Sequence, residues 1–198
     1  MAGPDGEATP EEDGRPGVLA WLRSLLLWLG LALLLRWQVL EPRWIPSGSM
    51  LPSLNLQDRV LVEKLSPHRS RPPPPGSVVV FRPPDALVDA GYDPTSALIK
   101  RVVAVAGDEV AVRDGALVRN GTICAEAWLQ EPMRYELAPV IIPEGNILVL
   151  GDNRNASLDS HLWGPLPSQR IIGRAIWRYW PLRRFGPVAV RDGCPAAS

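Results

Sequence analysis

Apolar positions fall into two regimes along the chain. From residue 18 to 40 they are nearly continuous, as Val18-Leu19-Ala20-Trp21-Leu22-Arg23-Ser24-Leu25-Leu26-Leu27-Trp28-Leu29-Gly30-Leu31-Ala32-Leu33-Leu34-Leu35-Arg36-Trp37-Gln38-Val39-Leu40. Leucine is a strong helix former, and this length at 1.5 Å per residue gives roughly 35 Å against a hydrocarbon core of about 30 Å. A single transmembrane helix is predicted over 18–40. Arg23 and Arg36 interrupt it, leaving 12 residues between them. Both lie near the ends, where long side chains snorkel to headgroups, with Trp21 and Trp37 at interfacial positions. A buried soluble helix and an interfacial helix stay open as alternatives. A cleaved signal peptide is disfavoured, because Arg36-Trp37-Gln38 follows the run where a small-x-small site would be needed. Residues 1–17, acidic and polar with Pro4, Pro10 and Pro16, are predicted to be a flexible tail.

Beyond Glu41-Pro42 the pattern is extended. Short β-branched or aromatic runs at 59–64, 77–81, 99–105, 109–112, 146–150 and 171–180 are bounded by Gly, Pro, Asp or Asn, and predict strands. Gly107-Asp108, Asp114-Gly115, Asn120-Gly121 and Pro143-Glu144-Gly145 are turn formers, and Val112 to Val118 around Asp114-Gly115 predicts a hairpin. No helical periodicity of three or more turns follows residue 40. The fold class is therefore mainly β, with coiled antiparallel sheets forming a barrel-like domain over 41–190, preceded by the helix and followed by a short tail over 191–198. Pro72 to Pro75 reads as a rigid surface loop within that domain.

Composition removes some functions. The 21 basic and 21 acidic residues cancel, so there is no basic field for a phosphate backbone and nucleic acid is not an expected partner. Cys124 and Cys194 fit no zinc spacing, and two histidines cannot build a His-rich site, so neither metal nor cofactor is expected. One disulfide can form if the domain faces an oxidising compartment, although Cys194 lies four residues from the end of the chain.

Candidate chemistry begins at Ser47-Gly48-Ser49. By itself Pro46-Ser47-Gly48-Ser49 is a turn whose serines bond their own backbone. Its apolar flanks and two bracketing prolines favour a presented Ser49 hydroxyl, which would need a base. His161 can be written into a Ser/His/Asp set, but its spacing does not single it out, and His68 lies in a proline-flanked loop. Lysine is rarer than arginine here, with only Lys64 and Lys100. In a strand, Lys100 and Arg101 point to opposite faces, and one can face solvent while the other faces inward. An inward Lys100 would lose solvation and offer a neutral amine near neutral pH, while an outward one is an edge-strand charge. The loop Asp152-Asn153-Arg154-Asn155-Ala156-Ser157-Leu158-Asp159-Ser160-His161 is either an elaborate turn or a site-building segment. The triplets Asn120-Gly121-Thr122 and Asn155-Ala156-Ser157 are too short a pattern to count as glycosylation sites.

Four segments, in order, resemble the type I signal peptidases, including the compact members of cyanobacteria and plastids. They are Ile45-Pro46-Ser47-Gly48-Ser49-Met50-Leu51-Pro52-Ser53-Leu54, Asp58-Arg59-Val60-Leu61-Val62-Glu63-Lys64, Ile99-Lys100-Arg101-Val102-Val103-Ala104-Val105-Ala106-Gly107-Asp108, and Gly151-Asp152 through Trp163-Gly164. The resemblance implies a membrane-bound serine endopeptidase that removes signal peptides from exported precursors, cleaving after small residues in an Ala-x-Ala-like pattern.

By the resemblance, Ser49 is the nucleophile and Lys100 the general base, Ser47 helps hold the oxyanion, and Ser157 orients the lysine amine. It also places Asp152 near Arg101, a pair that would brace the lysine strand, and gives Asp159 a structural part. One departure stands out: the family commonly has arginine two residues after Asp159, where this chain has His161, which makes that brace weaker or pH-dependent. Implied partners are signal-peptide-bearing precursors and membrane lipids, with no obligatory protein partner. The implied location is a bacterial plasma membrane or a thylakoid membrane, with a single pass and the catalytic domain on the export side.

Overall fold

The structure, a computed structural model, describes residues 17–65 and 72–195. Residues 1–16 of the expected tail and the loop carrying His68 lie outside the described residues. The chain divides into two units, Met1–Trp37 and Gln38–Ser198.

Helix α1 runs Val18–Gln38, as the leucine content requires. It stops two residues short of the expected end because Leu40–Trp44 instead pairs as a strand. Its apolar side chains, among them Leu26, Leu27 and Trp28, are exposed. Among the described residues no helix is long and apolar enough to cross a membrane, so the expected single-pass span is not supported. The arginines supply a physical reason: the 12 residues between Arg23 and Arg36 extend only about 18 Å as helix, well short of a hydrocarbon core.

The second unit is mainly β, as expected. Its strands are β1 (Leu40–Trp44), β2 (Arg59–Glu63), β3 (Val78–Phe81), β4 (Leu98–Val105), β5 (Glu109–Arg113), β6 (Ala116–Arg119), β7 (Thr122–Ile123), β8 (Leu137–Ile141), β9 (Asn146–Leu150), β10 (Leu166–Pro167), β11 (Ile171–Trp180) and β12 (Gly186–Pro187). Helices α2 (Asp85–Asp89) and α3 (Ser160–Trp163) are one-turn connections. The larger antiparallel sheet has the order β1-β2-β11-β3-β4-β9-β10, with β12 added beside β11. The smaller has the order β7-β6-β5-β8. Register shifts in the β11–β2, β11–β3 and β4–β9 pairs mark bulges, which bend and twist a sheet. The larger sheet is thus curled yet open, with β1 and β10 at its edges, and the barrel-like expectation holds only to that extent.

The hairpin expected around Asp114-Gly115 joins β5 to β6. Asp114 (φ 51°) and Gly115 (φ 76°) both take the left-handed conformation that a two-residue hairpin turn demands. Asn120-Gly121 repeats the device between β6 and β7.

Three buried apolar clusters fill the unit. Strand β4 contributes to all of them, through Ile99, Val102 and Val103, because it is central in its sheet and covered on both faces. The C-terminal residues, expected as a tail, are tied down as far as Cys194. Val188 N–H donates to Ile176 O, Arg191 N–H to Gly76 O, and Ala125 N–H to Gly193 O. Cys194 closes a disulfide with Cys124, settling a pairing that the spacing left open. This strap runs from the larger sheet to the start of the segment after β7.

Candidate active site

Ser49 sits in a single 3-10 turn, Gly48–Met50, on the connection from β1 to β2. Met50 and Leu54 anchor the connection in the core with Ile45. Buried Asp58 closes its far end, accepting from Asn55 N–H at 2.9 Å and from Arg184 Nη1 at 2.9 Å. Ser49 is itself buried, and its hydroxyl lies 3.2 Å from the Ser47 hydroxyl.

Lys100 reaches the same hydroxyl, its Nζ 2.8 Å from Ser49 Oγ across 51 residues of sequence. Only 4% of Lys100 is exposed. Removal from water lowers the lysine pKa from its ordinary value to about 8, against the opposing pull of Asp159 and Asp152. The edge-strand alternative for Lys100 fails because β4 lies between β3 and β9.

Arg101, on the other face of β4, is also buried, at 1% exposure. The possibility that one of the adjacent cations faces solvent is therefore not realised: strand alternation separates the two side chains, but both faces are covered. Arg101 meets Asp152 in two parallel bonds, Nε to Oδ1 at 2.8 Å and Nη2 to Oδ2 at 2.7 Å. Its remaining nitrogen donates to Gly76 O at 2.6 Å and to Ala189 O of the strap at 3.1 Å. The Trp128 ring covers the guanidinium, 5.6 Å from centroid to Cζ.

The polar loop after β9 builds the rest. Asp159 is fully buried and caps α3, while its Oδ2 accepts from Gly151 N–H at 2.8 Å. His161 Nδ1–H donates to Asp159 Oδ1 at 2.7 Å, and the imidazole stacks on Tyr135 with ring centres 4.1 Å apart. Histidine thus still reaches Asp159 where the family commonly has arginine. Burial, with Asp159 and Glu126 nearby, pushes the Tyr135 hydroxyl pKa upward. Gly151 passes so close to Ser49 that a Cβ there would lie 2.5 Å from Ser49 O and nearer still to Ser157 Oγ, so only glycine fits. Ser157 is therefore at the site, as expected. Its buried hydroxyl nevertheless has no hydrogen-bond partner, and the orienting bond to Lys100 is not made in this arrangement.

Three features escaped the sequence. Asn153 holds the Gly48–Met50 turn, its N–H donating to Ser49 O at 3.0 Å and its Nδ2 to Gly48 O at 3.2 Å. Arg154 is buried in a two-bond pair with Glu126, both at 2.6 Å, and its Nε donates to Gly151 O at 3.0 Å. Asp58 recruits Arg178 as well as Arg184 from the end of β11 and beyond. Asn153 and Arg154 belong to a dense polar run, but no local spacing names their partners. Among the described residues no group of three or more His, Cys, Asp or Glu is placed to hold a metal ion.

Comparison with known proteins agrees with this geometry. The family described as "Signal peptidase, peptidase S26" matches residues 18–180. Probable signal peptidase I-1 of Synechocystis sp. is 48% identical over 172 residues, covering 87% of each chain. Signal peptidase I of Leptolyngbya laminosa is 45% identical over 165 residues, covering 83% of this chain and 81% of that one. Probable thylakoidal processing peptidase 2 of the Arabidopsis thaliana chloroplast is 51% identical over 150 residues, which span 76% of this chain but 41% of that longer protein. A family match over most of the chain and near-half identity to cyanobacterial relatives lead to one conclusion: this chain belongs to the signal peptidase family, peptidase S26, as a type I signal peptidase of the cyanobacterial and plastid kind.

Proposed function

We propose that this chain is a serine endopeptidase that removes signal peptides from exported precursors, with Ser49 as nucleophile and Lys100 as general base. The observation that carries this reading is the 2.8 Å approach of a buried, water-deprived Lys100 amine to the Ser49 hydroxyl. A neutral amine accepts the hydroxyl proton as Oγ attacks the scissile carbonyl carbon. The carbonyl oxygen takes up the negative charge and rests against the Ser49 N–H and the Ser47 hydroxyl, where one well-placed donor is worth about 3 kcal/mol. Lys100 then returns the proton to the departing amine. A water, activated by the same lysine, hydrolyses the serine ester. Ser157 has a free hydroxyl beside the site and could orient the amine after a side-chain rotation. Arg101, Asp152 and Asp159 fix the strand and loop that present these groups. Preference for small residues, in the Ala-x-Ala pattern, belongs to the same reading.

Membrane lipids are the second partner in this proposal. Outer-face register places Trp44 and Trp180 beside Arg59, and Trp177 packs edge-on against Phe185. These aromatic rings and Leu182 are exposed, which suits the boundary between water and acyl chains. The Cys124–Cys194 bridge favours the oxidising, export side of a bacterial plasma or thylakoid membrane.

The direct test is cleavage of a secretory precursor by detergent-solubilised protein. Ser49→Ala and Lys100→Ala are each expected to lose release of the mature chain, while His161→Ala retains it. Cleavage at the wild-type rate by Lys100→Ala would overturn the dyad.

A further inference from the structure

One residue controls both peptide planes that flank Ser49. The plane before it carries Gly48 O, which accepts from Asn153 Nδ2 at 3.2 Å and from Leu51 N–H, within the turn, at 3.1 Å. The plane after it carries Ser49 O, which accepts from the Asn153 N–H at 3.0 Å. The Gly48–Ser49 peptide is trans, so its carbonyl and its N–H point in opposite directions. Holding Gly48 O towards the Asn153 amide therefore turns the Ser49 N–H to the opposite side of the plane. Fixing both planes fixes φ and ψ of Ser49, and with them the origin of its side chain.

We propose that Asn153 is a positioning residue which, through Gly48 O, aims the Ser49 N–H at the oxyanion. This rests on the reading of Ser49 as nucleophile. The side chain is the only donor from outside the turn that Gly48 O has among the described residues. Its removal leaves the backbone bond to Ser49 O in place, so the attacking hydroxyl stays near Lys100 while the oxyanion donor is free to swing. The loss falls on the step in which charge develops rather than on substrate binding. Asn153 bonds to Ser49 O and Gly48 O rather than to Ser49 Oγ or Lys100 Nζ, and acts through the turn.

Two variants and two ligands test this. Asn153→Ala deletes the donor. Asn153→Asp keeps the shape but sets a carboxylate oxygen against Gly48 O. For each, kcat and KM are measured on a precursor peptide, together with affinity for that peptide's aldehyde and for an uncleavable amide of the same sequence. On the aldehyde, Ser49 Oγ adds to the carbonyl carbon, the hydroxyl proton passes to Lys100, and the former carbonyl oxygen bears the charge. The amide binds without that charge. The expected result is a fall in kcat of about 10- to 100-fold for Asn153→Ala, and a larger one for Asn153→Asp, with KM within about twofold. Aldehyde affinity should fall in step with kcat/KM while amide affinity holds. The ratio of the two affinities does not depend on how much of a variant is folded, so a poorly folding variant still gives an answer. An unchanged ratio, or a raised KM with kcat intact, overturns the proposal. Should Ser49→Ala still cleave, the dyad itself falls; should it be inactive while both Asn153 variants match wild type, the positioning role alone falls.

Discussion

The two faces of strand β4 carry adjacent basic residues under nearly equal burial, and they resolve the cost of burial in opposite ways. On one face Arg101 meets a carboxylate in two parallel bonds and shares its last nitrogen between two carbonyls. On the other, Lys100 has a neutral hydroxyl as its hydrogen-bond partner, and desolvation draws its pKa to about 8. Planar guanidinium suits the fork of a carboxylate, whereas an ammonium is a point charge that sheds its proton when stripped of water. Pairing makes the first cation a brace. Lack of pairing makes the second a candidate base.

The comparison can be broken most severely on the Arg101 face. Asp152→Ala leaves a guanidinium buried without its carboxylate, and a loss of about 3–5 kcal/mol in unfolding free energy is expected, read by denaturant titration. The double change Arg101→Met with Asp152→Leu should cost less than either single one, because it removes both charges together. If Asp152→Ala melts like wild type, the pair is no brace.

Lys100→Met on the opposite face should act in the other direction. The unfolded chain holds this lysine proton up to its ordinary pKa and the folded chain only up to about 8, so the group penalises folding fully below about pH 8. That penalty fades as pH rises towards about 10.5, the ordinary value. Below pH 8 the methionine variant should therefore be as stable as wild type or more stable, by ~1–2 kcal/mol, while cleavage is lost. A variant that loses both would mean the lysine is structural.

The gentlest probe is pH itself. With a base that must be neutral, kcat/KM should fall about tenfold per pH unit below about 8 and level off above it, in the wild type but not in the residual activity of Lys100→Ala. A flat profile from pH 6 to 9 would sever the link between the lysine and the rate.

Much of this face-to-face contrast was legible in the chain. Alternation placed Lys100 and Arg101 on opposite sides, and the Asp-Gly and Asn-Gly pairs marked hairpins, because those signals are local in backbone geometry. Whether either face met solvent was not local, since it depends on β3 and β9 flanking β4 from distant parts of the sequence. For the same reason β1, of which only Leu40 falls within the apolar run, and β8, with Pro139 inside it, carried no strand expectation. The pairs Arg154–Glu126 and Asp58–Arg184 join residues 28 and 126 apart, and charges so separated carry no mark of each other. Ser49 and Lys100 were readable through the resemblance, while Asn153 was hidden because half of what it does is done by its backbone.

The order of strands also bears on timing. Ser49 hangs from β1 and β2, and Lys100 lies on β4 beside β3, yet in the sheet these two pairs are neighbours only through β11, made of residues 171–180. A nascent chain that has emerged as far as residue 165 already holds Ser49, Lys100 and Asn153 but lacks the strand that joins the two pairs in one sheet. Setting Ser49 and Lys100 in one continuous sheet waits on β11, so their 2.8 Å approach depends on a strand built from residues far from both in the sequence.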